Sequence, residues 1–464
     1  MVKLEKKLQN PIHLRGASMK KKIVVRYGKE QLITPGGLAT VGALLSQTNL
    51  YEQLDKVKTT RRETKIKNSD VVGAHIGLLC QGKNDYAAIN ELKEEFAYYT
   101  LILGTSGIAS EETQRQRMDA IAPQITSILE SANTQLLTNT SIKPTPCFRN
   151  YVPIDADVTP FDNSNSKKEG VSWTYKGFKG YAPILAYIGE EGYSLGGELR
   201  TGSQHSQCET PAFLEKIIKS AKKITPSPLL LRLDSGFDST DNLNLCYEKS
   251  TRADFIIKRN LRSESPYDWL TEALEYATGI TEPREGKTVY TGSTHRFVGN
   301  MEVRIVYEVA ERTILPDGQI LLEPQLDVAT YWTSLPIDGE AAVTEGEVIQ
   351  LYRDHATSEQ FHSEIKTDMD LERFPSGVFK TNAAILLMGL IAYNILRIMG
   401  QESLTKDDAP RKRTVKRRRI KTVIQNLITI AVRVVHHARQ VCLSLGRSNA
   451  WRFTFKRVHE ALAG

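Results

Sequence analysis

The chain has 464 residues, a formal net charge of +7, 40% hydrophobic and 25% charged residues. This length suggests several domains, and the ordinary globular composition excludes a disordered, collagen-like or disulfide-framework chain. Five scattered Cys without a CxxC pair argue against a structural zinc site and indicate a reducing compartment. The N-terminus lacks the apolar core of a signal peptide, and the longest apolar run, 383–393, is too short for a membrane span.

Residues 31–140 are predicted to be mostly helical. Helices are expected over 38–50, 71–79 and 86–101, and a further one begins after Ser110, whose hydroxyl is placed to cap it. The segment that starts at Ala109 fits the recognition helix of a helix-turn-helix. A plain amphipathic packing helix fits it equally well.

The segment 141–150 is a plausible linker, and a mixed α/β pattern follows it. Apolar or β-branched runs predict the following strands: 151–158, 181–188, 192–199, 229–233 and 255–258. Helices over about 210–223 and 239–249 separate the later strands, which is an α/β order. Residues 262–335 have the short strands and Gly- and Pro-containing turns of a β-rich insertion.

The remaining pattern is helical. One long helix is predicted over about 345–369, an apolar one over 383–399, and a basic one over about 414–445, after a polar hinge at 401–410.

The charge is unevenly divided along the chain: the net charge is +7 over 1–30, +12 over 405–464 and −12 between them. Basic ends suit a polyanion, above all nucleic acid, and a solubilising role is the alternative.

Two acids are predicted to share one face of a strand. Over 152–159, the period-2 alternation places Asp155 and Asp157 opposite Ile154 and Ala156. A third acid, Asp234, follows the apolar run 229–233, at a strand end where α/β sheets bind ligands. For each of these acids, a turn cap or exposed strand end is the alternative to a metal site.

The predicted helix over 345–369 has a stripe of polar side chains. Tyr352, His355, Glu359 and Lys366 lie at i, i+3, i+7 and i+14, and a solvated face is the usual explanation for such charges. Carboxylate oxygens, however, are the ligands that Mg²⁺ prefers. Two such ions about 4 Å apart activate a nucleophile and stabilise the leaving oxygen of a phosphodiester. Two strand acids and one helix acid fit that chemistry.

Together these residues resemble the DDE-type insertion-sequence transposases, which have a ribonuclease H-like catalytic domain. One branch of them has a β-rich insertion and the signature Y-x2-R-x3-E-x6-K around its catalytic Glu. Here the signature is Tyr352-x2-His355-x3-Glu359-x6-Lys366, so that three of four positions match. The segments 199–202, 232–237 and 373–397 add to the resemblance, which spans about 30–460.

The resemblance implies catalytic and metal-binding roles for Asp157, Asp234 and Glu359, with Mg²⁺ as the cofactor and Mn²⁺ as a substitute. Asp157 takes the first position because Asp157-Val-Thr159 fits the Asp-x-Thr pattern of the family. Asp155, two residues earlier, remains an alternative first Asp.

The resemblance also implies DNA contacts. Tyr352 and Lys366 would contact the transposon-end phosphate. The family has Arg at the position of His355. A neutral His cannot bind a phosphate with two hydrogen bonds as Arg does. Either Arg353 takes over this contact or the DNA strand is bound less tightly. Some relatives stack a flipped base on a Trp of the insertion; Trp332 is the candidate here, and core packing is the favoured alternative. The basic segment supplies further candidates: Arg411, Arg413, Arg417, Arg418 and Arg419.

We therefore expect a cut-and-paste DNA transposase that binds terminal inverted repeats and target DNA as a homodimer. It would work in the prokaryotic cytoplasm beside the nucleoid, with no membrane partner. A transposase-derived DNA-binding protein without catalysis and a ribonuclease H-like nuclease are the alternatives. The expected fold is an α/β, ribonuclease H-like mixed sheet with helical regions at both ends. Its expected parts are 1–145 (DNA-end binding), 150–261 and 336–400 (the two parts of the core), 262–335 (β-rich insertion) and 401–464 (basic and helical).

Overall fold

The computed structural model describes residues 23–58, 65–411, 415–437 and 440–464. Its N-terminal part is helical, as predicted, apart from a short first strand. The elements are β1 (Leu32–Ile33), α1 (Leu38–Ser46), α2 (Leu50–Lys56), α3 (Asn68–Leu79), α4 (Ile89–Glu94), α5 (Phe96–Leu103) and α6 (Glu111–Asn139). Ser110 caps α6, since its hydroxyl accepts a hydrogen bond from the Thr113 N–H at 3.3 Å.

Strands and helices alternate in the next part, at nearly the predicted positions. They are β2 (Val152–Val158), β3 (Phe161–Asp162), β4 (Ser172–Trp173), β5 (Lys179–Tyr181), β6 (Ile184–Ile188), β7 (Tyr193–Glu198), α7 (Thr210–Ile224), β8 (Leu229–Leu233), α8 (Thr240–Tyr247) and β9 (Asp254–Lys258). β2, β6 and β7 form an antiparallel meander, while β8 pairs parallel to β2 and β9 parallel to β8. β3, β4 and β5 form a separate small sheet.

The insertion is β-rich, as predicted, but its strands are longer than the sequence pattern indicated. It contains α9 (Pro266–Tyr276), β10 (Gly279–Arg284), β11 (Lys287–Val298), β12 (Met301–Ile314) and β13 (Ile320–Thr333). β13 pairs antiparallel with β9 through Trp332 and Ile257. The insertion therefore continues the core sheet, in the order β10-β11-β12-β13-β9-β8-β2-β6-β7.

The long helix predicted over 345–369 is present, but a 3₁₀ turn and a π-helical turn interrupt its regular α-helical hydrogen bonding, and we refer to it as the interrupted helix. It consists of α10 (Glu345–Arg353), a 3₁₀ turn (Asp354–Thr357), α11 (Ser358–Ser363) and a π-helical turn (Glu364–Asp368). The cause is tertiary, because the side chains of these turns bond to other elements, as described below. π-turns inside helices often mark functional sites.

The C-terminal part also differs from the prediction of a continuous helix over 414–445. It contains α12 (Phe379–Glu402), α13 (Ile420–Val423), a π-helical turn (Ile424–Ile428), β14 (Val432–His437), β15 (Gln440–Leu445) and α14 (Arg452–Ala463). β14 pairs with β15 and with β1, about 400 residues earlier in the chain. β15 pairs with β14 along its whole length, and β1 adds two further pairs at Val432 and Arg433.

Helix α12 is the centre of the molecule. α6 packs along it with buried apolar side chains, among them Met118, Ile121 and Ile125, which supports the packing-helix interpretation of α6. Among the described residues, α12 is long and apolar enough to cross a membrane, but 94% of its apolar window is buried inside the protein. The core sheet packs on its other side through β7.

Candidate active site

Asp157 and Asp234 lie at the carboxyl ends of neighbouring parallel strands. Ala156 of β2 is opposite Leu233 of β8 in the ladder, and the two acids follow directly. Burial and the negative charge of Asp234 raise the pKa of Asp157 to about 6. Burial likewise raises the pKa of Asp234, whose carboxylate accepts a hydrogen bond from the Gly236 N–H at 3.0 Å. The structure therefore brings together two carboxylates whose charged forms are only partly compensated by the neighbouring cations.

Asp155 is in the opposite electrostatic situation. Its two oxygens accept hydrogen bonds from Nε and Nη2 of Arg232, both at 2.7 Å, and Nδ1 of His355 forms an ion pair with it at 3.0 Å. Burial would raise the pKa of Asp155, but the two cations lower it to about 2. Because both oxygens of Asp155 already accept hydrogen bonds from the guanidinium, few lone pairs remain free to coordinate a metal.

These three residues form a buried layer directly beneath the candidate acids. Asp155 precedes Asp157 by two residues, Arg232 precedes Asp234 by two, and His355 precedes Glu359 by four. All three are nearly inaccessible, and Arg232 also donates to the Leu351 carbonyl at 2.8 Å. The layer therefore joins β2, β8 and the interrupted helix at one level. His355 faces this layer rather than solvent.

Glu359 does not contact the two aspartates. It is exposed on the first turn of α11, and within the described chain its carboxylate has no hydrogen bond or ion pair. His355 and His362, four residues before Glu359 and three after it, are both buried. Nδ1 of His362 is 3.9 Å from an Asp157 oxygen.

No group of three or more His, Cys, Asp or Glu side chains is placed to hold a metal ion among the described residues. Asp157 and Asp234 supply hard oxygen donors, and the raised pKa of both acids is the electrostatic condition that a bound cation relieves. The two aspartates thus fit a divalent ion such as Mg²⁺.

Tyr352 lies beside the aspartate pair. Its ring packs against Tyr331 at 4.8 Å between centroids and tilts toward His355. Burial and the charges of Asp234 and Asp157 raise its pKa well above the usual value of tyrosine. The hydroxyl is therefore a protonated hydrogen-bond donor at the edge of the site.

The two candidate cations for the end phosphate have protein partners. Arg353 forms a two-pronged ion pair with Glu308 of β12, at 2.7 and 2.9 Å. Lys366 donates to the Pro160 carbonyl at 2.6 Å and is 3.4 Å from Glu372. Lys366 thus lies next to the end of β2, whereas Arg353 points toward the insertion.

The basic segment mostly packs against the interrupted helix. Arg417 stacks on the Phe361 ring at 4.6 Å and binds Gln360. Arg419 pairs with Asp368 at 2.8 and 2.9 Å. Their neighbour Arg418 is buried, donates to Ser403 at 2.6 Å and stacks on Trp451.

The charge of Arg418 is therefore enclosed by the protein, and its contact with DNA stays a prediction. Arg411 is exposed, and Arg413 lies outside the described residues. Three family-like motif residues also have structural roles: the buried Arg200, Asn382 and Arg397 each bond to neighbouring main-chain groups.

Trp332 is a core residue. It is buried, its Nε1 donates to Asp238 at 2.9 Å, and the Arg259 guanidinium covers its ring at 4.6 Å. This confirms the packing interpretation of Trp332. The exposed aromatic residues near the site are instead Trp173 and Tyr175 of the small sheet, which sequence reasoning missed although aromatic and basic residues alternate there.

The core sheet and its carboxylates define a class of protein: a ribonuclease H-like fold with acids at the ends of its central strands. The model of the family described as "Transposase DDE domain group 1" matches residues 16–464. The chain belongs to this family of transposases. Domains of this type typically use divalent metal ions.

Comparison with solved structures gives a distant likeness. A cryo-EM structure of the piggyBac transposase synaptic complex with hairpin DNA has 11% identity and a TM-score of 0.41. The match covers 84% of this chain and 78% of the other. No match was found among curated proteins.

Proposed function

We propose that this protein catalyses cut-and-paste transposition of an insertion sequence, by metal-dependent hydrolysis and strand transfer at DNA phosphodiesters. The observation that carries the proposal is the pair Asp157 and Asp234, held at adjacent strand ends with raised pKa values. The family membership supports the same reaction class. Water would attack at the transposon end, and the freed 3′-hydroxyl would then attack the opposite strand or the target.

Asp157, Asp234 and Glu359 are the proposed catalytic acids, and they would hold Mg²⁺, with Mn²⁺ as a substitute. When bound, the metal activates the attacking oxygen and stabilises the leaving oxygen. Asp157 is preferred to Asp155 because Arg232 already occupies both oxygens of Asp155. The Asp155 layer keeps the two strands and the helix in register.

The neighbouring side chains would hold the DNA strand. Tyr352 remains protonated, since its pKa is raised by burial and by the adjacent aspartates, and it would donate a hydrogen bond to a phosphate oxygen. Lys366, beside the end of β2, would supply a positive charge. Arg353 would become available to bind a phosphate only if its ion pair with Glu308 opens.

The proposed partners are duplex DNA at the terminal inverted repeats and at the target, and a homodimer would bridge two transposon ends in the cytoplasm.

The test uses purified full-length protein, Mg²⁺, a plasmid that carries the gene with its flanking DNA, and a second plasmid as target. Asp157→Asn, Asp234→Asn and Glu359→Gln should each reduce strand cleavage at least 100-fold, about the loss expected when a group that stabilises the transition state is removed. Retained DNA binding would show that these variants are folded. Cleavage at the wild-type rate in Asp234→Asn would refute the assigned site.

The same assay separates the proposed reaction from its alternatives. Joined products between the two plasmids support strand transfer. Nicking without any joined product would indicate a nuclease, and end binding without nicking would indicate a DNA-binding protein. Either result would overturn the proposal of a transposase reaction.

A further inference from the structure

The small sheet between β2 and β6 presents exposed aromatic and basic side chains. Trp173 is 61% exposed and Tyr175 is 69% exposed, which is unusual for large aromatic residues. The ammonium group of Lys179 lies 5.6 Å from the centre of the Trp173 ring, and that of Lys176 lies 6.0 Å from the Tyr175 ring. Aromatic faces beside cations are the composition of a surface that binds single-stranded nucleic acid.

This surface, formed by 173–179, adjoins the aspartate pair. The Tyr175 hydroxyl donates to the carbonyl of Val158, the residue after Asp157, at 3.1 Å. The charge of Lys176 also acts on Asp157 and opposes part of the rise in its pKa. A strand whose scissile phosphate lay at the aspartates would therefore reach the 173–179 surface within a few nucleotides.

The surface is built rigidly. The Thr174 N–H donates to the Phe178 carbonyl at 2.8 Å, and Gly177 closes the turn in a left-handed conformation, with φ of 79°. Gly180 permits the close approach of the neighbouring strand, since a Cβ there would lie 1.9 Å from the Phe161 carbonyl oxygen. A fixed backbone presents the aromatic rings without an ordering cost upon binding.

We propose that the 173–179 surface binds unpaired DNA next to the cleavage site, with bases stacked on Trp173 and Tyr175 and phosphates paired with Lys176 and Lys179. This proposal rests on the proposed function for the location of the scissile phosphate. On this proposal, the small sheet binds a DNA strand that has separated from the duplex, whereas the carboxylates act on the scissile phosphate. Double-stranded DNA, which presents no free base faces, would gain little from it.

The chain offers an intrinsic probe for this binding. It contains four Trp, and the other three, Trp269, Trp332 and Trp451, are buried. In EDTA, a 20-nucleotide oligo(dT) should quench the tryptophan fluorescence of the wild type, and Trp173→Ala should lose most of this quenching. By anisotropy of the labelled oligonucleotide, Trp173→Ala and Tyr175→Ala should each bind about tenfold more weakly.

Two control variants sharpen the test. Trp173→Phe keeps an aromatic face and should bind nearly as the wild type does. Phe297→Ala removes an equally exposed aromatic residue, 73% exposed at the end of β11, and should change nothing. Wild-type affinity in Trp173→Ala, or an equal loss for a 20-base-pair duplex, would overturn the proposal.

The binding assay needs neither metal nor cleavage, so that its result is independent of the proposed function. If Asp157→Asn still cleaves DNA, the assigned active site is wrong. The oligo(dT) affinities of the Trp173 and Tyr175 variants still decide whether the 173–179 surface binds unpaired DNA.

Discussion

At the residue scale, the two acids of β2 have opposite effects on stability. Asp155 neutralises the buried Arg232, and its replacement leaves that charge unpaired, which costs about 3–5 kcal/mol. Asp157 is desolvated and repelled by Asp234, and the charges of His355 and Lys176 offset only part of this penalty. We predict that Asp155→Asn lowers the free energy of unfolding by that amount, while Asp157→Asn raises it by about 1–3 kcal/mol. Urea denaturation in EDTA measures both.

The two variants are matched controls for each other, because the same substitution is made two residues apart on one strand. Equal stabilities for both would show that Asp155 does not hold the layer beneath the site. A stabilised Asp157→Asn without cleavage activity would show that the active site is strained by its own charges.

A second residue, His75, makes stability depend on pH. It is fully buried in α3, and neither ring nitrogen has a hydrogen-bond partner among the described residues. Burial lowers its pKa from 6.5 to about 4, so that the unfolded chain binds the proton more strongly. The stability that the neutral, buried His75 permits is fully present above pH 6.5. As the pH falls toward 4, the free energy of unfolding decreases by about 3 kcal/mol on account of His75.

His75→Gln, which cannot be protonated, should therefore lose less stability between pH 7 and pH 4.5 than the wild type. Urea midpoints at the two pH values provide the measurement. An identical loss in both proteins would exclude His75 as a source of acid sensitivity.

At the scale of elements, local sequence pattern predicts some strands and helices, whereas others depend on contacts with residues distant in the chain. The core strands were predictable, because runs such as 229–233 are apolar throughout and end at a turn. Motif spacing likewise indicated Asp157, Asp234 and Glu359. The ion pair of Asp155 with Arg232 was not predictable, since it depends on the register of β2 against β8. The hairpin of β14 and β15 was missed because the basic segment before it was extended as one helix, and the two pairs with the distant β1 gave no local signal.

The π-helical turn of the interrupted helix was not predictable, because distant residues hold it. Glu364, in its π-turn, pairs with the fully buried Arg397 of α12 and accepts from the N–H of Ile420 at 3.2 Å. Asp368, at the end of that turn, holds Arg419 and accepts from the N–H of Lys421 at 3.1 Å. The two carboxylates thus cap the N-terminus of α13 from the π-helical turn.

From these contacts we predict that Glu364→Gln destabilises the protein by about 3–5 kcal/mol, because Arg397 would keep a buried charge without a counterion. Glu359→Gln, five residues earlier on an exposed side chain, should leave the urea midpoint unchanged while it abolishes cleavage. A stable Glu364→Gln protein would show that the other bonds of Arg397 suffice to hold the π-turn.

At the scale of the whole molecule, the net charge of +7 conceals an acidic body between basic ends. The C-terminal end is not a free tail, since β14 pairs with β1 and α14 packs against α1 and α12. Deletion of 405–464 would remove these contacts and expose the core. Its role in DNA binding is therefore tested by substitutions of exposed bases.

Arg411 and Lys421 are exposed and lie on either side of the buried Arg418. Each phosphate contact that is lost should reduce the slope of log K against log salt concentration by about 0.9. We predict that Arg411→Gln with Lys421→Gln flattens this slope for a 30-base-pair duplex by nearly two and leaves the urea midpoint unchanged. Lys249→Gln, an exposed base in the turn before β9, serves as the control and should not alter the slope. If the double variant keeps the wild-type slope, DNA does not lie along the C-terminal segment, and the basic charge there serves mainly to brace the helix that carries Glu359.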